Sequence, residues 1–552
     1  MRARVLALLA LIVAVSSISH AQGYRWEANP WTESFRSAST AGILEDDIDI
    51  LLDPARVCEI GGTRLYTNLS NLVDKDEEVF SNNDNGYFLI GGSGKLTNSG
   101  YGYFGALYDR YQDKNIDSTE STTTTYRDID MNGSYDEQSM VNDQSIVSRE
   151  EFDNHWYLAY NKELGDKKIG LAYYRNEESY FYRLFNSYQQ EDNNYVTGLL
   201  YTYNGEGQYN DSSKVSENAI LGSFWMPFGP KVDLNLGGLA GFLSTKYGYH
   251  YEGTSTEDNS PADTRIDDVN TNEHAQYARP YSGTKFFVWA GGRYKWSDNV
   301  KTEGFARMGM ISQKTTSDAM GTYEYSQVTR ITFGTDLIQD TQNRNIDIGL
   351  TGDAAASGFE LFARTVAKLD EKVSFGMGLN FSTYGWEDNF TSDSLVANQY
   401  SYNDGDNQLL DPDDSVTVEN YSTAIDYKTT GSYTTLGIPV GLEFKVANPV
   451  VIRLGARYDL GWDDSTRTRA ISSYSALHRR TVTGDSVITE SISPNPNTLE
   501  NGTSASAYTK TSQTSFSYGA GWSISEHLKI DLMGFANLTN LSGWKLSATM
   551  KF

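Results

Sequence analysis

Arg453 and Arg457 stand four residues apart in the stretch Val450–Leu460, where apolar and polar residues alternate. In an extended chain, residues four apart share a face, about 13 Å apart at roughly 3.3 Å per residue. Glu443 and Lys445 lie on the preceding stretch, across the short Asn448-Pro449 turn. The same alternation isolates Arg293, Glu303, Arg307, Glu360, Arg364, Lys368, Lys529 and Asp531 on polar faces. Charges placed this way can line an interior and tune ion selectivity, or they can pair across neighbouring strands. Two Arg and one Lys against one Glu make the Glu443–Arg457 group locally positive. An open interior at that depth is expected to favour anions.

Other chemistry is sparse. After position 22 the chain has five His, at 155, 250, 274, 478 and 527, and no two stand at ligand spacing. No zinc site is expected from them. Cys58 is the only Cys, so no disulfide can form within the chain. Asp46-Asp47, Asp128/Asp130, Glu257-Asp258 and Asp411–Asp414 could offer carboxylates to Ca²⁺, but none has the full spacing of a calcium loop. They read as solvated acidic runs. No cofactor, no metal and no catalytic centre is expected. A net charge of −27 argues against nucleic-acid binding.

The elements that must position these charges are strands. Seven pairs of alternating stretches flank short turns: Asn98–Gly100, Gly165-Asp166, Phe228–Pro230, Ser297–Asn299, Asp370–Lys372, Asn448-Pro449 and Ser525-Glu526. With Thr63–Ser70 and Trp544–Phe552 they give sixteen strands, with fourteen as the alternative. An even number suits an antiparallel transmembrane β-barrel, an all-β fold. Connections 113–154, 176–217, 244–284, 312–358, 386–432 and 461–514 are expected to be long, acidic, extracellular loops. No mature stretch has 18 consecutive apolar residues, so helical spans are not expected. Mean hydropathy of −0.51 fits strands that show lipid only alternate residues. Thirty-eight Tyr and ten Trp suit interfacial girdles.

Arg2 and Arg4, the apolar run Val5–Val15 and Ser19-His20-Ala21 read as a signal peptide over 1–21. At the other end Trp544, Leu546, Ala548, Met550 and Phe552 alternate with Lys and Ser/Thr. This amphipathic stretch with its final Phe resembles the insertion signal of bacterial outer-membrane β-barrels. That resemblance implies an outer-membrane location, contact with membrane lipid, and the barrel-assembly machinery as a partner during insertion.

Residues 22–60 precede the barrel, which is expected over 61–552. Within them Ser39–Arg56 contains Asp46-Asp47 and Asp53-Pro54-Ala55, followed by Gly61–Leu69. The segment resembles the opening of the long-chain fatty acid transporter (FadL-type) family. There an acidic pair and Asn-Pro-Ala precede the first strand, and the segment plugs the lumen. This chain departs at Asp53, where the family has Asn, and at Arg56, where it has Gly. The resemblance implies a channel or transporter for small or hydrophobic solutes. The alternative is a surface protein whose acidic loops bind a partner, matrix or cations.

Overall fold

The computed structural model describes residues 35–68, 86–96, 100–128, 134–195, 199–260, 265–333, 336–404, 414–496, 502–535 and 545–552. The expected leader 1–21, Asp130, Asp411 and Asp413 of the acidic run, and Trp544 lie outside them.

The strands begin with β1 (Arg64–Asn68), β2 (Gly86–Lys95), β3 (Tyr103–Arg127) and β4 (Glu137–Leu164). They continue with β5 (Lys167–Asn194), β6 (Leu199–Pro227), β7 (Val232–Ser260) and β8 (Arg265–Ser297). β9 (Val300–Thr315) and β10 (Met320–Phe333) are two halves of one stave, since both run between β8 and β11 (Asp336–Lys368). Next come β12 (Val373–Asn403) and β13 (Ser415–Ala447). β14 (Val450–Tyr474) and β15 (Leu477–Thr483) likewise share one stave along β13, and β16 (Ser486–Ile492) folds back on β15. β17 (Thr503–Ser523), β18 (Leu528–Phe535) and β19 (Lys545–Lys551) complete the set. β19 pairs with β1 and β1 with β2, so the antiparallel ring closes. With the two split staves counted once and the β16 flap left out, the nineteen strands make a sixteen-stave barrel.

The short turns fall where the alternation breaks. Gly165 and Gly229 take positive φ at two of them, a backbone region open to glycine without strain. Asn98 and Ser99 of the first turn lie outside the described residues.

The connections differ from the expected long loops. β8, β11 and β13 each run 33 residues, so most of 244–284, 312–358 and 386–432 is strand. A bilayer needs only about 9–11 strand residues. The remainder carries Ser, Thr, Asn and Tyr on both faces, because neither face meets lipid, and therefore lacks apolar alternation. Once a hairpin starts in the membrane, each added cross-strand pair extends the same hydrogen-bonded ladder, and Thr, Tyr and Val suit it.

Large apolar side chains on the outer face are exposed within about a dozen residues of the short turns, among them Leu171, Ile220, Phe242, Phe286, Met310 and Leu454. Trp296, Phe228 and Trp522 stand exposed at the turn rim. A closed antiparallel ring with an apolar outer band and an aromatic girdle is a transmembrane β-barrel, the architecture of Gram-negative outer membranes.

Candidate functional site

Residues 35–60 lie inside the ring. They form two short helices, Phe35–Ser39 and Asp47–Leu51, and a 3₁₀ helix, Pro54–Glu59. Asp46 caps the second helix by accepting from Ile48 and Asp49 backbone N–H groups, and Asp49 accepts in return from the Asp46 N–H, a capping box. Asp53 caps the 3₁₀ helix, with Pro54 opening it where no N–H is needed. Ile48, Leu51 and Val57 then face inward-pointing Leu89, Leu107 and Phe287 in one apolar core. The wall approaches this segment closely at glycines. A Cβ on Gly170 of β5 would stand 2.1 Å from the Pro54 carbonyl carbon, and one on Gly455 of β14 would stand 2.6 Å from the Ala41 nitrogen.

Asp53 also ties the segment to the wall. Its carboxylate accepts from Ser223 Oγ at 2.5 Å, Trp225 Nε1 at 2.6 Å and Asn235 Nδ2 at 3.4 Å. An Asn, the usual residue of the resembled family, would turn a donor toward one of these groups. Asp46 accepts from the Arg36 N–H, and Asp47 accepts from Tyr66 and faces Arg64. Pro54 and Ala55 are buried, and the Ala55 N–H donates to Ser223 Oγ.

Most of the lumen charges singled out from the sequence gather in three groups among the described residues. In the first, Arg364 reaches Glu303 at 2.6 Å and also pairs with Glu45 of the segment. Arg293 bonds Glu303, Arg56 bonds Glu45 and Glu59, and Lys168 reaches Glu59 at 2.8 Å. Burial raises the Glu45 and Glu59 carboxyls, but Arg56, with Arg364 beside Glu45 and Arg293 beside Glu59, outweighs it and holds both below the usual range. In the second group, Arg453 bridges Glu443 at 2.8 Å and Asp531 at 2.6 Å, Lys529 joins Asp531, and Arg36 of the segment reaches Glu443. The third is Arg307 with Glu360. Lys368 is exposed at the end of β11, and Lys445 is half-buried on β13.

These pairings correct the expected anion-favouring lining. Arg453 is only 1% exposed and held by two carboxylates, and Arg457 is bound by Asp459 at 2.7 Å. Strand alternation showed which side chains share a face, but Asp531 arrives from a strand far along the chain and Arg36 from the inner segment. Of the C-terminal row, Leu546 is half-buried, Ala548 is buried, and Met550 and Phe552 are exposed. Ser547, on the polar row, is fully buried.

Above the segment lies a cavity of about 300 Å³. Its walls are Tyr174, Leu221, Trp225, Trp289, Phe305 and Phe362, and its polar margin mixes Arg56, Arg307 and Arg364 with the carboxylates of Glu45, Asp49, Asp53 and Glu303. Phe305 and Phe362 stack at 5.3 Å. Trp289 Nε1 donates to Asn235 Oδ1 at 2.7 Å, which in turn bonds Asp53. Sequence reasoning missed this cavity, although its aromatics sit on the same inward rows as the charges it singled out.

A second correction concerns histidine. His250 and His274, far apart in sequence, meet edge to face on β7 and β8 with ring centroids 5.0 Å apart, and Glu252 lies beside both. Linear spacing carries no trace of a pair formed across strands.

The fold and site together define a transmembrane β-barrel with an N-terminal segment lodged in its lumen. No protein-family model matches the chain, and no curated protein matches it. Solved structures do. A TodX monoaromatic hydrocarbon channel mutant shares 10% identity over 94% of this chain and 99% of its own, at TM-score 0.35. The Ralstonia pickettii toluene transporter TbuX matches at 10% identity over 94% and 98%, at TM-score 0.31. A Pseudomonas aeruginosa FadL homologue matches at 10% over 94% and 98%, at TM-score 0.26. Overlaps this loose add no argument of their own, and the barrel's geometry has to carry the functional reading.

Proposed function

We propose that this barrel passes small apolar or amphipathic solutes across the outer membrane, with the aromatic cavity above the inner segment as the station on the way. The observation that carries the reading is that cavity. Stacked phenylalanines and two indoles offer an apolar bed, and the arginines at its margin are already paired with carboxylates, so the apolar part of a solute decides the fit. The residues 35–60 form the plug beneath it. The plug is tied to the wall by ion pairs and hydrogen bonds and by the apolar packing of Ile48, Leu51 and Val57 against Leu89, Leu107 and Phe287, so passage requires these contacts to loosen while the ring stays closed. Binding and passage are tested together. A small fluorescent apolar probe should quench or shift the Trp emission of the purified barrel, and uptake of apolar solutes into vesicles should follow the same order of affinity. Trp289→Ala with Phe305→Ala should lower both by at least about tenfold. Unchanged binding and uptake in that double variant would sink the reading and favour the surface-binding alternative.

A further inference from the structure

We propose that His250, Glu252 and His274 form a divalent transition-metal site on the outside of the barrel wall. His250 Nε2 lies 3.2 Å from Glu252 Oε1, and His274 Nδ1 lies 3.6 Å from the same oxygen. One ligand atom from each residue falls within 4.8 Å of the others. Two imidazole nitrogens and a carboxylate oxygen bound at about 2.0–2.2 Å around a tetrahedral ion stand roughly 3.3–3.5 Å apart. The two nitrogen–oxygen separations are already close to that arrangement, and all three ligand atoms lie within 4.8 Å of one another.

The wall explains why they converge. Glu252 on β7 is the register partner of His274 on β8, and His250 sits two residues before Glu252, on the same face. That face is the outer one, since His250 and Glu252 share it with exposed Phe242 and His274 shares it with exposed Phe286. His250 follows Phe242 by eight residues, about 26 Å farther along the strand, so the trio stands beyond the apolar band and faces water. On the other side of His274, its register partner on β10 is Glu324, exposed on the same face and able to supply a fourth oxygen. A shallow cleft of about 520 Å³ runs past Glu252, His274 and Glu324 and leaves open coordination positions reachable from outside.

The donor set selects the ion. Imidazole nitrogen with a single carboxylate suits Zn²⁺, Ni²⁺ or Cu²⁺, whereas Ca²⁺ and Mg²⁺ want oxygen ligands throughout. The bound ion would clip β7 to β8 in the extracellular part of the wall. Its vacant positions would take water or a donor group from an outside molecule.

Titration calorimetry of the full-length protein in detergent with Zn²⁺ tests the site, and Co²⁺ absorption gives a second readout of ligand geometry. One ion per chain is expected, displaced by Ni²⁺ but not by excess Ca²⁺. His250→Ala with His274→Ala should weaken binding at least about tenfold, and Glu252→Gln should weaken it while leaving both rings in place. His478→Ala with His527→Ala should leave it unchanged. Heat-modifiable migration on gels reports folding for every variant. Equal Zn²⁺ affinity in the wild type and the folded His250/His274 variant would overturn the proposal, as would stoichiometric loss only in the His478/His527 variant.

Discussion

Arg36 in the inner segment and Glu443 on β13 are 407 positions apart in sequence, yet the guanidinium donates two hydrogen bonds to the carboxylate at 2.6 and 2.8 Å. Arg453 donates to the same Glu443 from the wall. One carboxylate thus belongs to both the ring and the segment inside it, and the two can be separated experimentally.

Asp53 is the most informative place to separate them. Its carboxylate accepts from Ser223, Trp225 and Asn235 of the wall. Asp53→Asn should leave one wall donor facing an amide donor, at a cost of about 1–3 kcal/mol. Limited proteolysis should then cut near residues 35–60 faster than in the wild type, while gel migration of the heat-modifiable barrel stays the same.

Gly170 offers a steric version of the same test. A side chain there meets the Pro54 backbone at 2.1 Å, with no flexible atom to yield. Gly170→Val should displace the segment and raise single-channel conductance. Gly349, whose added Cβ has nothing nearer than 3.9 Å, supplies the control, and Gly349→Ala should leave conductance unchanged.

Acid should loosen the segment. Glu45 and Glu59 have carboxyls held below their free values, so their contribution is complete at neutral pH and is lost as pH falls through the ordinary carboxylate range toward the lowered values. Asp53 moves the other way, because its burial raises it, and it softens the dependence. Conductance or protease sensitivity measured between roughly pH 6 and 3 should rise on acidification. Glu59→Gln should flatten part of that rise.

The two faces of β14 should respond differently to charge. Leu454→Arg puts a cation on the lipid row and should cost about 2–4 kcal/mol. Arg453→Ala removes a cation from the other face and leaves Glu443 to Arg36 and Asp531 to Lys529, so its cost should fall below the about 3–5 kcal/mol of a buried charge left without any partner. Urea unfolding in vesicles reads both. At low pH the Arg453→Ala deficit should shrink and the Leu454→Arg deficit should not.

The sixteen staves were legible because lipid imposes alternation on residues such as Ile452, Leu454 and Tyr458, and because Gly165 and Asn448-Pro449 interrupt it sharply. Their length was not. Thr119–Thr125 on β3 is exposed strand without an apolar member, and only the paired chain at Ser139–Ser145 holds it extended. The candidate site was half legible. Arg364, Glu443 and Asp531 could be placed on inward rows, but their partners come from other staves and from Glu45 and Arg36. The His250–His274 meeting was likewise set by register across two strands, which no single stretch of sequence displays.

The 33-residue staves have an electrical consequence. At roughly 3.3 Å per residue and a tilt near 40°, such a stave rises about 80 Å, of which the apolar band takes about 25 Å. The rest is a tube standing outside the membrane, in series with the membrane pore. Resistance grows with length, so even with residues 35–60 displaced, this bore would set the ceiling on current. Its inner wall carries the buried aromatics Tyr249, Tyr277, Tyr323 and Phe390, with the ion pair Arg279–Asp388 packed against Phe390.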